Sequence, residues 1–206
     1  MLINIHPDNP QERYIKQVVE ILRNGGIGII PTDTVYAFGC SLYQYKAFER
    51  IARLKGIKPE KANFSILTSG LSHLSEFTRP INNNIFRIMK KVLPGPYTFI
   101  LPASKNIPNI FETKKKTIGF RVPDNKILSS IINELGHPIV STSIRSDDDF
   151  IEYITNAELI FEEYENLVDF AIDGGAGGIE PSTIIDCTGD EIEIIREGKG
   201  KIDLFF

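Results

Sequence analysis

The chemistry-bearing residues of this chain gather where apolar runs stop. Ile29-Ile30 runs into Pro31 and then into Thr32-Asp33-Thr34, two hydroxyls around a carboxylate. Proline cannot donate to a β-ladder, so it marks the point where a strand leaves its sheet. In open α/β sheets, ligands bind at the carboxyl ends of the strands. Thr32 and Thr34 lie two apart, so in an extended segment both side chains point the same way and can address one small polar substrate. The plainer alternative is a Thr/Asp turn that satisfies only its own backbone. Ser141-Thr142-Ser143 repeats the pattern, with Ser141 and Ser143 on one face, and Pro181-Ser182-Thr183 is a third polar strand end.

The third end follows Asp173-Gly174-Gly175-Ala176-Gly177-Gly178. Its spacing is not that of a dinucleotide fingerprint, and a strand rather than a helix follows, so it reads as a tight loop that lets backbone approach closely. Two basic features join these hydroxyls. Lys55 closes a predicted helix, where it also suits the dipole as a plain C-terminal charge. Lys114-Lys115-Lys116 leads into Thr117-Ile118-Gly119-Phe120-Arg121 and reads alternatively as a solvated run. His6, His73 and His137 have no partners at ligand spacing, and no nucleophile–His–acid set or metal cluster is visible. Hydroxyls and cations at several strand ends suit positioning and electrostatic stabilisation of phosphate chemistry more than covalent catalysis.

The elements that must position these residues follow from apolar periodicity. Gln11 to Arg23 places Ile15, Val18, Val19 and Leu22 at helical spacing and ends in Asn24-Gly25-Gly26, a left-handed stop. Gln44 to Leu54 repeats the design with Ala47, Phe48, Ile51 and Leu54, and further helices are predicted over Asn84 to Leu93 and Ile127 to Leu135. Strands are predicted at Ile29-Ile30, Phe64 to Leu67, Tyr97 to Leu101, Thr117 to Val122 and Pro138 to Ser143. Three more lie near Leu167 to Ile172, Ser182 to Asp186 and Ile192 to Arg196. Strands outnumber helices about two to one and some follow one another directly. The expected fold class is therefore α/β, a single twisted mixed β-sheet with flanking helices, in one domain over residues 1–206.

With 42% hydrophobic and 24% charged residues the chain has the composition of a folded globular protein. Its apolar runs are strand-length, and its start lacks the basic and apolar pattern of a secretory signal, so a cytoplasmic location is expected. Cys40 and Cys187 form no metal or disulfide pattern and read as buried, inert thiols. The net charge of −4 hides an asymmetry: Lys46 to Lys126 holds 16 Lys and Arg against 5 Asp and Glu, leaving 7 against 22 elsewhere. A basic surface for nucleotide phosphates or a nucleic-acid backbone is one reading; basic and acidic faces neutralising each other within the fold is the other.

Taken in order, several segments resemble the YrdC-like family. They are Gly25-Gly26, Ile30-Pro31-Thr32-Asp33-Thr34-Val35-Tyr36, Lys55-Gly56 and Leu93-Pro94-Gly95-Pro96-Tyr97-Thr98, followed by Thr117 to Pro123, Ser141-Thr142-Ser143, Pro181 to Asp186 and Arg196-Glu197-Gly198. Lys116 to Pro123 and Ser141 to Ser143 look most like its YciO branch. The resemblance implies a YrdC-like fold with a large basic concave cavity. It also implies threonylcarbamoyl-AMP synthesis from threonine, bicarbonate and ATP, with Mg²⁺ assisting and pyrophosphate released, as the first step of threonylcarbamoyl-adenosine formation in tRNA. Binding of double-stranded RNA or tRNA is the other family property. By motif match, Thr34, Arg121, Ser141 and Ser182 would hold threonine, and Lys55, Thr117, Ser143 and Arg196 would hold ATP; no residue is assigned a covalent catalytic role or a metal.

Two positions depart from the synthase pattern. Where K-x-R is usual, Lys55-Gly56-Ile57 carries an aliphatic residue and Lys58 follows one place later; where S-x-N is usual, Ser143-Ile144-Arg145 carries a cation. A guanidinium cannot accept a hydrogen bond as an amide can. Without that arginine and that amide, nucleotide binding would weaken unless Lys58 and Arg145 take their places. The sequence thus supports two functions: a nucleotide-using synthase, or an RNA-binding or RNA-modification accessory protein without efficient synthase activity.

Overall fold

A computed structural model describes residues 1–108, 116–144, 155–189, 191–203 and 205. It contains ten strands and six α-helices among these residues. In chain order they are β1 (Leu2–Asn4), α1 (Glu12–Arg23), β2 (Ile27–Ile30), β3 (Ala37–Ser41), α2 (Tyr45–Leu54), β4 (Ser65–Leu67), α3 (Leu74–Phe77) and α4 (Asn83–Val92). There follow β5 (Tyr97–Pro102), β6 (Thr117–Arg121), α5 (Lys126–Leu135), β7 (Ile139–Ser143), α6 (Ala157–Tyr164), β8 (Phe170–Asp173), β9 (Thr183–Asp186) and β10 (Glu193–Arg196). All ten strands form one sheet in the order β1-β8-β2-β3-β7-β4-β6-β5-β9-β10. Parallel and antiparallel neighbours are interspersed, as at β8∥β2 and the antiparallel β2–β3 and β3–β7 pairs. The mixed α/β sheet expected from the sequence is the observed one.

The central strands are apolar on both faces, and their alternation divides the core in two. Ile30, Ala37, Ile139, Phe170 and Ile172 face the layer made by α1 and α5, whose Val18, Leu22, Ile127 and Ile131 are fully buried. Ile29, Phe38, Val140 and Ala171, one residue away on the same strands, face a second cluster with Phe48 and Ile51 of α2 and Phe64, Phe99 and Phe120. A slip of one residue would exchange the two sets, so register is held from both sides. The helices end as the sequence indicates: Asn24 then Gly25 at φ +83° closes α1, and Gly136 at φ +83° closes α5.

Four elements lie outside those the sequence predicts. β1 is a three-residue edge strand, and α3 spans four residues. β3 is buried at every position, so it shows no alternation, and its Gly39, Cys40 and Ser41 carry little strand preference. α6 carries a usable signal in Asn156, whose side chain accepts from the N–H groups of Glu158 and Leu159.

Candidate functional site

The loop after β2 is a hydroxyl-stapled turn. Thr32 Oγ1 donates to Val35 O at 2.8 Å and accepts from Thr34 N at 3.0 Å, so Thr32 satisfies its own backbone. Thr34 is buried with its Oγ1 3.0 Å from Thr32 Oγ1 and 3.1 Å from a terminal nitrogen of Arg121. The expectation that both threonines address one substrate is corrected: Thr34 lines the cavity described below and Thr32 does not. The same Arg121 nitrogen lies 3.0 Å from Asp33 Oδ1, in an ion pair whose side chains are only 11% and 8% exposed. Burial pushes the Arg121 pKa down, Asp33 opposes that, and the charge of Arg196 lowers it further. Arg121 Nε and Asp33 Oδ2 are buried without a hydrogen-bond partner among the described residues.

β2 and β6 are separated in the sheet by β3, β7 and β4, which at ~4.8 Å per strand would place them ~19 Å apart if the sheet were flat. The loop after β2 and the Arg121 side chain bridge that span in the Thr34–Arg121 bond, and beside them lies a cavity of about 140 Å³. Thr34, Arg121, Ser141 and Ser182, the four residues expected to hold an amino acid, all line it, from four separate segments. Ser143 and Arg196 of the expected nucleotide set line it too. A larger hollow of about 680 Å³ shares Asn63, Ser65, Thr98 and Ile184 with the first and adds Thr117, Asp186 and Thr188 beside the apolar Phe64, Ile100 and Ile195. Lys55 and Lys58 line neither space. Lys55 caps α2 and donates to Ile144 O at 3.0 Å, while Lys58 is exposed before the 3₁₀ turn Pro59–Lys61. Ile57 packs against the apolar core. Arg145, Lys114 and Lys115 lie outside the described residues.

The walls are held by backbone contacts that glycine permits. Gly178 N donates to Thr34 O at 2.7 Å, and a Cβ added at Gly178 would collide with that oxygen. Tyr36 fixes the start of this glycine loop, donating its hydroxyl to Gly175 O at 2.7 Å and accepting from Gly174 N; burial raises its pKa to about 12. On the opposite wall, Ser182 Oγ is 2.8 Å from Thr98 Oγ1, and the Arg196 guanidinium donates twice to Ser182 O. Lys199 reaches across, with Nζ 2.6 Å from Asp33 O and its own N–H on Pro181 O.

Asp33, Asn63, Thr98 and Asp186 are site residues that spacing alone does not single out. Asp33 reads from sequence only as part of a turn because its cationic partner is 88 residues away. Among the described residues no group of three or more His, Cys, Asp or Glu could hold a metal ion. No helix among them is long and apolar enough to cross a membrane. Cys40 and Cys187 are buried, and burial raises both thiols to about 12.

Known proteins share this fold. The Sua5_yciO_yrdC family, described as telomere recombination, matches residues 20–198. YciO of Escherichia coli (strain K12) is 43% identical over 98% of this chain and 97% of its own. The crystal structure of E. coli YciO superposes with a TM-score of 0.92 at 41% identity, covering 100% and 99% of the two chains. A putative threonylcarbamoyl-AMP synthase of Methanocaldococcus jannaschii is 33% identical over 96% of this chain and 92% of its own. P. abyssi Sua5, whose crystal structure is complexed with L-threonine, matches with a TM-score of 0.86 at 26% identity, over 96% of this chain and 57% of that one. The chain belongs to the Sua5/YciO/YrdC family and groups with its YciO members.

Proposed function

We propose that the inner cavity takes threonine, that the adjoining hollow takes ATP, and that the protein joins them through bicarbonate as L-threonylcarbamoyl-AMP. The observation that carries this is the meeting of Thr34, Arg121, Ser141 and Ser182 on one 140 Å³ cavity that shares four lining residues with a space large enough for a nucleotide. Arg121 meets the amino-acid carboxylate. The threonine amine, once deprotonated, adds to the carbon derived from bicarbonate with loss of water; a carbamate oxygen then attacks the α-phosphate and pyrophosphate leaves. Arg196, Ser143 and Thr117 stabilise the charge that develops on the phosphate.

Among the described residues Mg²⁺ has no site built from protein ligands. Asp186 is the one carboxylate of theirs lining the hollow, and its Oδ1 already accepts from Thr188. The ion would accompany the ATP phosphates.

Threonine-dependent release of pyrophosphate from ATP and bicarbonate is the expected result at micromolar enzyme, and its absence contradicts the reading.

A second reading has its own observation. Ile57 packs against the core where synthases carry an arginine, while Lys58, Lys61, Arg79, Arg87, Lys90 and Lys91 are exposed and form no ion pair with a described residue. Those cations suit a double-stranded RNA or tRNA backbone, and binding would then weaken steeply with added salt as counterions are released.

A further inference from the structure

We infer that Thr32 sets the hydrogen-bond polarity of the cavity, making Thr34 an acceptor that takes the ammonium of the amino acid. The inference deepens the amino-acid reading of the same cavity and rests on it. A threonine hydroxyl has one proton and two acceptor sites. Thr32 Oγ1 is 2.8 Å from Val35 O, which can only accept, so the Thr32 proton lies there. Its acceptor sites are filled by Thr34 N at 3.0 Å and by Thr34 Oγ1 at 3.0 Å, which fixes the Thr34 proton toward Thr32.

Thr34 Oγ1 then accepts from Arg121 at 3.1 Å and keeps one acceptor site in a residue that lines the cavity. A ligand can satisfy that site only by donating. Arg121 offers the opposite polarity. Among the described residues one terminal nitrogen is committed to Asp33 and Thr34 and Nε is enclosed without a partner, so its other terminal nitrogen is left for an anion. An acceptor beside a cationic donor matches an ammonium and a carboxylate on one carbon. Thr32 touches neither group and acts as a positioning residue.

The test is calorimetric titration of the whole chain with L-threonine and with (R)-3-hydroxybutanoate, the same skeleton without the amine. Wild type is expected to prefer threonine by at least tenfold. Thr32→Val keeps the side-chain shape but frees the Thr34 proton to face the ligand. It should weaken threonine at least tenfold and change 3-hydroxybutanoate by less than twofold, and Thr32→Ser should restore the preference.

Equal weakening of both ligands in Thr32→Val would show that Thr32 only holds the turn, and no weakening of either would also overturn the inference. In both cases the threonine reading stands. A wild type that binds the two acids equally removes the ammonium assignment, and one that binds neither removes the amino-acid reading as well.

Discussion

Gly178 donates its backbone N–H to the carbonyl oxygen of Thr34 at 2.7 Å, and nothing larger than hydrogen fits on its Cα at that distance. The glycine loop is therefore pressed against Thr34, a residue that lines the inner cavity. Gly178→Ala should displace Thr34, lower stability by about 1–3 kcal/mol and weaken threonine binding. Urea unfolding and calorimetric titration of the same variant measure the two effects; unchanged threonine affinity would separate the loop from the site.

Asp33 and Arg121 form a buried ion pair, so removing one partner leaves the other charge uncompensated. Asp33→Ala is expected to cost about 3–5 kcal/mol, and the double variant Asp33→Ala/Arg121→Met less than the single one. A double-mutant cycle by denaturant unfolding checks the sign of that coupling.

Arg196 donates twice to Ser182 O and lines the cavity from the far edge of the sheet. Arg196→Ala should weaken ATP about tenfold, roughly 1.4 kcal/mol, while leaving the chain folded. Nucleotide titration beside a far-ultraviolet circular dichroism spectrum tests both halves, and unchanged ATP affinity would detach Arg196 from the nucleotide.

His137 is held neutral. Burial pushes its pKa below the ordinary value, and its Nδ1 donates to Pro138 O at 3.1 Å. Because the folded state favours the unprotonated ring, this contribution is present above the ordinary histidine pKa of about 6.5 and is lost as pH falls through the lowered folded value. Melting temperatures from pH 8 to pH 5 should fall more for wild type than for His137→Gln; parallel profiles would contradict the assignment.

Cys40 and Cys187 are buried thiols raised to about 12, so neither should react with a disulfide reagent in the native state at pH 8. Two equivalents should react in guanidinium chloride. Rapid native labelling would mean that the core around β3 or the end of β9 opens readily.

The helices are legible in the sequence because apolar spacing survives any tertiary context: Ile15, Val18, Val19 and Leu22 face inward as their spacing requires. β3 is not, because burial on both faces erases alternation. At the site, the hydroxyls of Thr34, Ser141 and Ser182 can be read as polar strand ends, but their convergence on one cavity depends on tertiary packing that no local pattern encodes. Arg121 enters through a family likeness, and its carboxylate partner is invisible for the same reason. Spacing by two brings the Thr32 and Thr34 hydroxyls together but does not reveal that Thr32 donates its proton to its own turn at Val35 O instead of lining the cavity.

The stretch from Arg196 to Lys199 ties Ser182 and Pro181 to Asp33, joining residues more than 160 positions apart. The rim of the cavity is thus complete only when segments from the two ends of the sequence have come together, with Arg196 lining it and Lys199 clasping Asp33 from outside.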